Sequence, residues 1–371
     1  MREMLEAASD PQLSKKLLQE VKHLCTAYKR KHHRLPVLME VCGSHTMALA
    51  KTGVKQALKD DLMLISGPGC PVCVTAQEEI DAMIQLAEDK RLIVCTFGDM
   101  MRVPGSTGTL MDAKAEGSDI RIVYSPLDAV QIAAENLDKA VVFLGVGFET
   151  TIPILAAAVA SAKQQAIDNF SVWVTTKLVE PVLRTLLDNG EVKIDAFLLP
   201  GHVAIVTGSG HFEFLSQEYN IAGAITGFEP VELLSGLYQC LALLLNEEAR
   251  IENSYKAVVT YEGNKAAQQL METYFQRSDE NWRGLGVLPN SGLSLREEYA
   301  LHDAKKKFKI KPSVPRKTKC RCGEVISGKI TPEECVLFGK ACTPLQPIGP
   351  CMVSSEGSCS ASYQFLREVS V

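Results

Sequence analysis

Twelve cysteines stand in this 371-residue chain, and they are unevenly placed. Six lie between Cys320 and Cys359, and three more, Cys42, Cys70 and Cys73, sit in two short glycine-bearing loops. Cys25, Cys95 and Cys240 fall in apolar or helical surroundings and are expected to be buried small hydrophobes. Met1 to Asp10 carry acidic side chains and no apolar stretch, so no signal peptide and a cytoplasmic location are expected. In a reducing compartment, thiols at this density favour metal binding or redox chemistry over structural disulfides.

The tail is the densest group. Cys320, Cys335, Cys342 and Cys359 are spaced C-x14-C-x6-C-x16-C, with Cys322 and Cys351 beside them. This is neither the tight ferredoxin run nor the paired C-x2-C of a zinc ribbon. Residues 320–371 contain no histidine, so a site there is all-thiolate, which suits a [4Fe–4S] cluster or a zinc ion held by four cysteines. Spacing does not choose four ligands among six cysteines. A segment this short with few large apolar residues needs a staple, and a metal cluster would supply one.

The second group is Gly67-Pro68-Gly69-Cys70-Pro71-Val72-Cys73, a C-x2-C where a strand is expected to end and a helix to begin. Peptide dipoles at a helix N-terminus favour the thiolate. Cys70 and Cys73 are thus a candidate dithiol–disulfide couple or half of a metal site. Cys42, followed by Gly43-Ser44-His45-Thr46, holds the equivalent place one strand earlier. His45 reads as a site residue, against the plainer reading of a core histidine. Gly147-Phe148-Glu149-Thr150 and Pro200-Gly201-His202 are two further loops of this kind, although such loops often do no more than join strand to helix.

Short apolar runs at 35–41, 61–66, 91–96 and 119–124, then at 140–145, 171–175, 194–199 and 221–226, alternate with amphipathic stretches. Continuous apolar strands separated by helices predict parallel sheets covered on both faces. Two consecutive groups of four strands predict an α/β fold of two Rossmann-like domains, 35–138 and 139–250. They follow a helical segment, 1–34, and precede a C-terminal cluster domain, 251–371, with helices near 265–276 and 294–307. The suggestive loops all fall at the carboxyl ends of strands, where open α/β sheets bind ligands.

Bulk composition narrows the class. With 46% hydrophobic and 22% charged residues the chain reads as soluble and globular. A net charge of −5 gives no footprint for nucleic acid. No apolar run is long enough to span a membrane, and no G-x4-G-K-[ST] offers a nucleotide site. Lys305 to Lys319, with seven lysines and one arginine, reads first as a solvated linker and second as a docking patch for an acidic partner.

Cys42 to Thr46, Gly67 to Cys73, Gly147 to Thr151 and Gly349-Pro350-Cys351-Met352-Val353-Ser354-Ser355-Glu356-Gly357 together resemble the HypD family of [NiFe] hydrogenase maturation proteins. The resemblance covers essentially the whole chain. It implies that Cys320, Cys335, Cys342 and Cys359 hold a [4Fe–4S] cluster, and Cys322 is left out of that set. It implies further that Cys42 ligates the iron of a nascent Fe(CN)₂CO unit, with Cys70 and Cys73 a redox pair that can also be placed on iron. HypC and HypE are the implied partners, cyanide arriving as a thiocyanate on HypE. His45, His202, Thr150 and Thr151 are candidate donors to bound cyanide, and Glu149 and Glu356 candidate proton relays. One competing reading is a cluster-containing thiol–disulfide oxidoreductase acting on a protein substrate, which leaves Cys42 unexplained. Another is a zinc-stapled binding protein.

Overall fold

Runs such as Val141-Val142-Phe143-Leu144 offer apolar side chains to both faces of a strand, so they are stable only inside a sheet covered on two sides. The computed structural model, which describes residues 8–310, 316 and 318–366, places all eight expected strands in such sheets. They are β1 Val37–Glu40, β2 Met63–Ser66, β3 Leu92–Thr96, β4 Asp119–Ile122, β5 Ala140–Gly147, β6 Phe170–Thr176, β7 Ala196–Pro200 and β8 Ala222–Thr226. A short β9, Ile251–Asn253, joins them. Both sheets are parallel throughout, and helices intervene between most successive strands.

The strands are not grouped four and four along the chain. One sheet runs β2-β1-β7-β8-β9 and the other β4-β3-β5-β6. The chain leaves the first sheet after β2, builds the second, and returns with β7. Residue pattern marks each strand, but pairing is decided by the crossovers, which local periodicity does not encode. Strand order reverses between β1 and β7 in one sheet and between β3 and β5 in the other. These are the crevices where ligands sit in such sheets.

The helix Pro11–His32 packs on the helix Pro230–Asn246 and buries Val21, Cys25 and Tyr28. Asp10 caps it, accepting from the Gln12 and Leu13 N–H groups. Residues 1–7 lie outside the described residues, as do 311–315 and 317 of the basic stretch. The start of that stretch is no solvated linker. Lys305 pairs with Glu79 at 3.0 Å and lies 3.7 Å from Glu280, and Lys306 pairs with Glu297.

After β9 the chain departs furthest from expectation. The helix Lys265–Tyr274 forms as expected. Beyond it comes an antiparallel hairpin, β10 Phe275–Trp282 and β11 Gly286–Leu295, whose register shifts between Ser278 and Glu280. The helix expected near 294–307 is replaced by the end of β11, a 3-10 turn at Glu297–His302 and one turn at Ala304–Lys307. The hairpin docks on the end of β6, where the Leu178 N–H donates to the Ser291 carbonyl. The tail, too, is less isolated than its composition suggests. Val325, Ile326 and Met352 are buried in the same core as Met39, Ile65 and Val72.

Candidate functional site

The strand order brings the ends of β1, β2, β5 and β7 together with one loop of the tail. Between them lies a cleft of about 200 Å³, lined by Cys42, Gly69, Thr150, Thr151, His202 and Glu356 among others. Cys42 ends β1 in extended conformation and precedes the helix Gly43–Lys51. The β2 loop is pressed against it: the Gly43 N–H donates to the Gly69 carbonyl at 3.1 Å. A Cβ on Gly69 would lie 2.4 Å from the Cys42 backbone, so only glycine allows this approach. Burial first, and the Glu356 charge second, push the Cys42 thiol up to about 11.

The tail forms the facing wall. The Ser44 hydroxyl donates to Glu356 at 2.5 Å, and Ser354 and Ser355 both donate to Asp99, in the loop after β3. A Cβ on Gly43 would meet Glu356 at 2.5 Å. Burial raises the Glu356 carboxyl, which Ser44 partly offsets.

The two histidines have different places. His202 lines the cleft and stacks on Phe228, ring centroids 4.0 Å apart. His45 is fully buried behind it, with Nε2 3.1 Å from the Gly227 carbonyl and 3.3 Å from that of Thr226. Burial lowers His45 to about 4, so its ring is neutral at pH 7 and Nε2 carries the proton those carbonyls accept. His45 therefore ties the Cys42 helix to the end of β8, and Nδ1 has no partner among the described residues. Glu149 turns away from the cleft and lines a different cavity.

Cys70 and Cys73 are joined as a disulfide, both buried, behind the Gly69 and Pro71 wall of the cleft. The helix they begin, Pro71–Val74, is a single turn. Its dipole is correspondingly small beside the longer helix expected there. Next to it stands a sulfur pair that spacing did not reveal. Cys322 Sγ lies 2.6 Å from Cys351 Sγ and 4.0 Å from the Cys73 carbonyl oxygen. No sequence signal marks this pair, because 28 residues separate the two cysteines.

All six tail cysteines ring one small cavity with Val325, Phe338 and Met352. Cys320 is the half-exposed member, and the other five are buried. The Ile348 N–H donates to Cys342 Sγ at 3.3 Å, and a Cβ on Gly349 would lie 2.5 Å from Cys320 Sγ. Among the described residues no three His, Cys, Asp or Glu side chains converge to hold a single metal ion. The thiols instead surround a space. Cys351 engages both Cys322 and Cys359, and the six thiols together offer an all-thiolate donor set that suits an iron–sulfur cluster. Cys25, Cys95 and Cys240 are buried in apolar core, as expected.

Sequence reasoning also missed the buried pair under the cleft loops. Lys177, at the end of β6, is wholly buried and donates to Glu280 of the hairpin at 2.7 Å. Its backbone N–H donates to the Gly147 carbonyl. The pair thus fixes the hairpin against the loop that carries Phe148 and Thr150. No helix among the described residues is long and apolar enough to cross a membrane.

Residues 12–366 match the family model described as "HypD: Hydrogenase formation hypA family". The chain is 43% identical over 335 residues to the hydrogenase maturation factor HypD of Escherichia coli, covering 90% of each protein. It is 41% identical over 362 residues to that of Rhodobacter capsulatus, covering 96% of each. To the Cupriavidus necator protein of the same name it is 41% identical over 338 residues, covering 89% of each.

Proposed function

The chain belongs to the HypD family of hydrogenase maturation factors, and we propose that it is a scaffold on which the Fe(CN)₂CO unit of a [NiFe] site is assembled. The observation that carries this reading is the meeting of Cys42 with the Cys70–Cys73 loop at a cleft closed by the cysteine-rich tail. The iron is cargo, held by the Cys42 thiolate and by a second thiolate from a small HypC-type partner docking over the cleft. A soft low-spin iron favours such ligands. Thr150, Thr151 and His202 line the cleft and would donate to cyanide nitrogen.

Cyanide would be delivered as a thiocyanate on a HypE-type partner. Breaking the sulfur–carbon bond takes two electrons, supplied as Cys70 and Cys73 close from dithiol to disulfide. Of the two protons they release, one goes to the partner's sulfur, giving a thiol. The other goes to a base in the cleft, for which Glu356 is suited by its raised carboxyl. Cys320, Cys335, Cys342 and Cys359 would hold a [4Fe–4S] cluster, which supplies one-electron reducing equivalents when bound. Cys322 and Cys351 stand beside the Cys70–Cys73 turn, and as a dithiol they would reduce its disulfide by exchange, a two-electron step that leaves Cys322 and Cys351 joined and Cys70 and Cys73 as thiols.

Differential alkylation of anaerobically reconstituted protein tests this. With a one-electron reductant, Cys70 and Cys73 should become labelled together in the wild type and stay protected in Cys322→Ser. Equal labelling in both proteins would remove Cys322 from the route. A general thiol–disulfide oxidoreductase is the second reading. It accounts for both sulfur pairs but gives Cys42 no task.

A further inference from the structure

A cavity of about 370 Å³ lies apart from the cysteine cleft, between the loop after β5, the helix Lys265–Tyr274 and the hairpin. Sites for small molecules begin at about 300 Å³ and join an apolar surface to a few converging polar groups. Here Met271, Phe275 and Leu293 give the apolar part.

The polar groups include atoms with nothing to bond. Glu149 is 2% exposed; its Oε1 accepts the Val179 N–H at 2.8 Å, while Oε2 has no partner among the described residues. His211 Nε2 is likewise buried and unbonded, the Glu180 carboxylate standing 3.8 Å away. Buried polar atoms are normally paired, and one left open beside a cavity marks a place for a ligand group. Two guanidiniums line the same space. Arg296 uses its Nε on the Glu272 carbonyl, and the Arg277 guanidinium makes no hydrogen bond or ion pair among the described residues. The Glu149 and Glu272 carboxyls line the same cavity, which disfavours a doubly charged phosphate relative to a monoanion.

We propose that this cavity binds a small organic acid, its carboxylate held by Arg277 and Arg296 and an N–H group donated to Glu149 Oε2. The carbon chain lies on the apolar surface. Phe148 and Thr150, the neighbours of Glu149, line the cysteine cleft, so an occupied cavity bears directly on the wall of that cleft.

N-acetylglycine carries both required groups and serves as the probe, with acetate (no N–H) and N-acetylglycinamide (no carboxylate) as controls. Isothermal titration of the full chain at pH 8, where Glu149 is ionised, should give a Kd of about 1 mM for the probe, the order expected for so small a ligand. The controls should bind at least tenfold more weakly. Arg277→Ala, an exposed position, should lose the probe by tenfold or more. In Glu149→Gln the amide carbonyl keeps the Val179 N–H and turns its NH₂ toward the ligand, donor against donor, with a comparable loss. No binding to wild type at ten times that concentration, or equal binding by wild type and both variants, would overturn the proposal.

Discussion

Replacing Glu149 by Gln should make the protein more stable above neutral pH, and the gain should grow through a defined window. Burial is the first cause of the raised Glu149 carboxyl, at about 7 against an ordinary 4.5; the Val179 N–H only partly offsets it. The unfolded chain therefore releases this proton near pH 4.5, and the folded chain holds it until about pH 7. Below 4.5 both states are protonated and Glu149 costs nothing. Between 4.5 and 7 the unfolded state gains, and above 7 the full penalty, about 3 kcal/mol, is in place. Glutamine keeps the shape and the Val179 hydrogen bond without the charge. For a chain of this length the penalty converts to about 4 °C in Tm. Thermal scans of both proteins at one scan rate, from pH 4.5 to 8, should show midpoints that coincide at the acid end and diverge by about that amount at the alkaline end. A difference that stays flat across the window would show that Glu149 ionises normally in the fold.

Gly69→Ala should drive the two cysteine loops apart. The new Cβ meets the Cys42 backbone at 2.4 Å, a clash costing about 1–3 kcal/mol, and hydrogenase maturation in a complementation assay should fall to background. Gly98→Ala, whose Cβ would meet nothing nearer than 3.9 Å, is the control and should mature hydrogenase normally. Lys177→Met leaves the Glu280 carboxylate buried with, among the described residues, only Lys305 in reach, at 3.7 Å. It should destabilise the fold by about 3–5 kcal/mol, read as a lower thermal midpoint; an unchanged midpoint would mean that Lys305 replaces Lys177 fully.

The strands and their chemistry-bearing ends were legible because both rest on local pattern. Apolar runs of strand length, three of them followed by the glycine-bearing loops of Cys42, Cys70 and His202, marked where those residues stand along the chain. Which strands pair was not legible. The return of β7 to lie beside β1 depends on long crossovers, and it is that return which sets His202 opposite Cys42. The hairpin was not anticipated, and Gly284 and Gly286 supply the positive φ its turn requires. The Cys322–Cys351 pair escaped for a different reason. Six cysteines in one segment are separable only by position in space, and the tail takes its position by packing on the β1–β2 core.

The central claim is that Cys42 holds the iron. Infrared spectroscopy of anaerobically purified protein, isolated with its maturation partners, tests it most directly. Wild type should show bands of metal-bound cyanide and carbon monoxide. Cys42→Ala should lose them while keeping the fold and the visible absorption of the cluster proposed for the tail. Bands of wild-type intensity in Cys42→Ala would contradict the account and place the iron elsewhere, with Cys70 and Cys73 the nearest thiols in the chain's own loops.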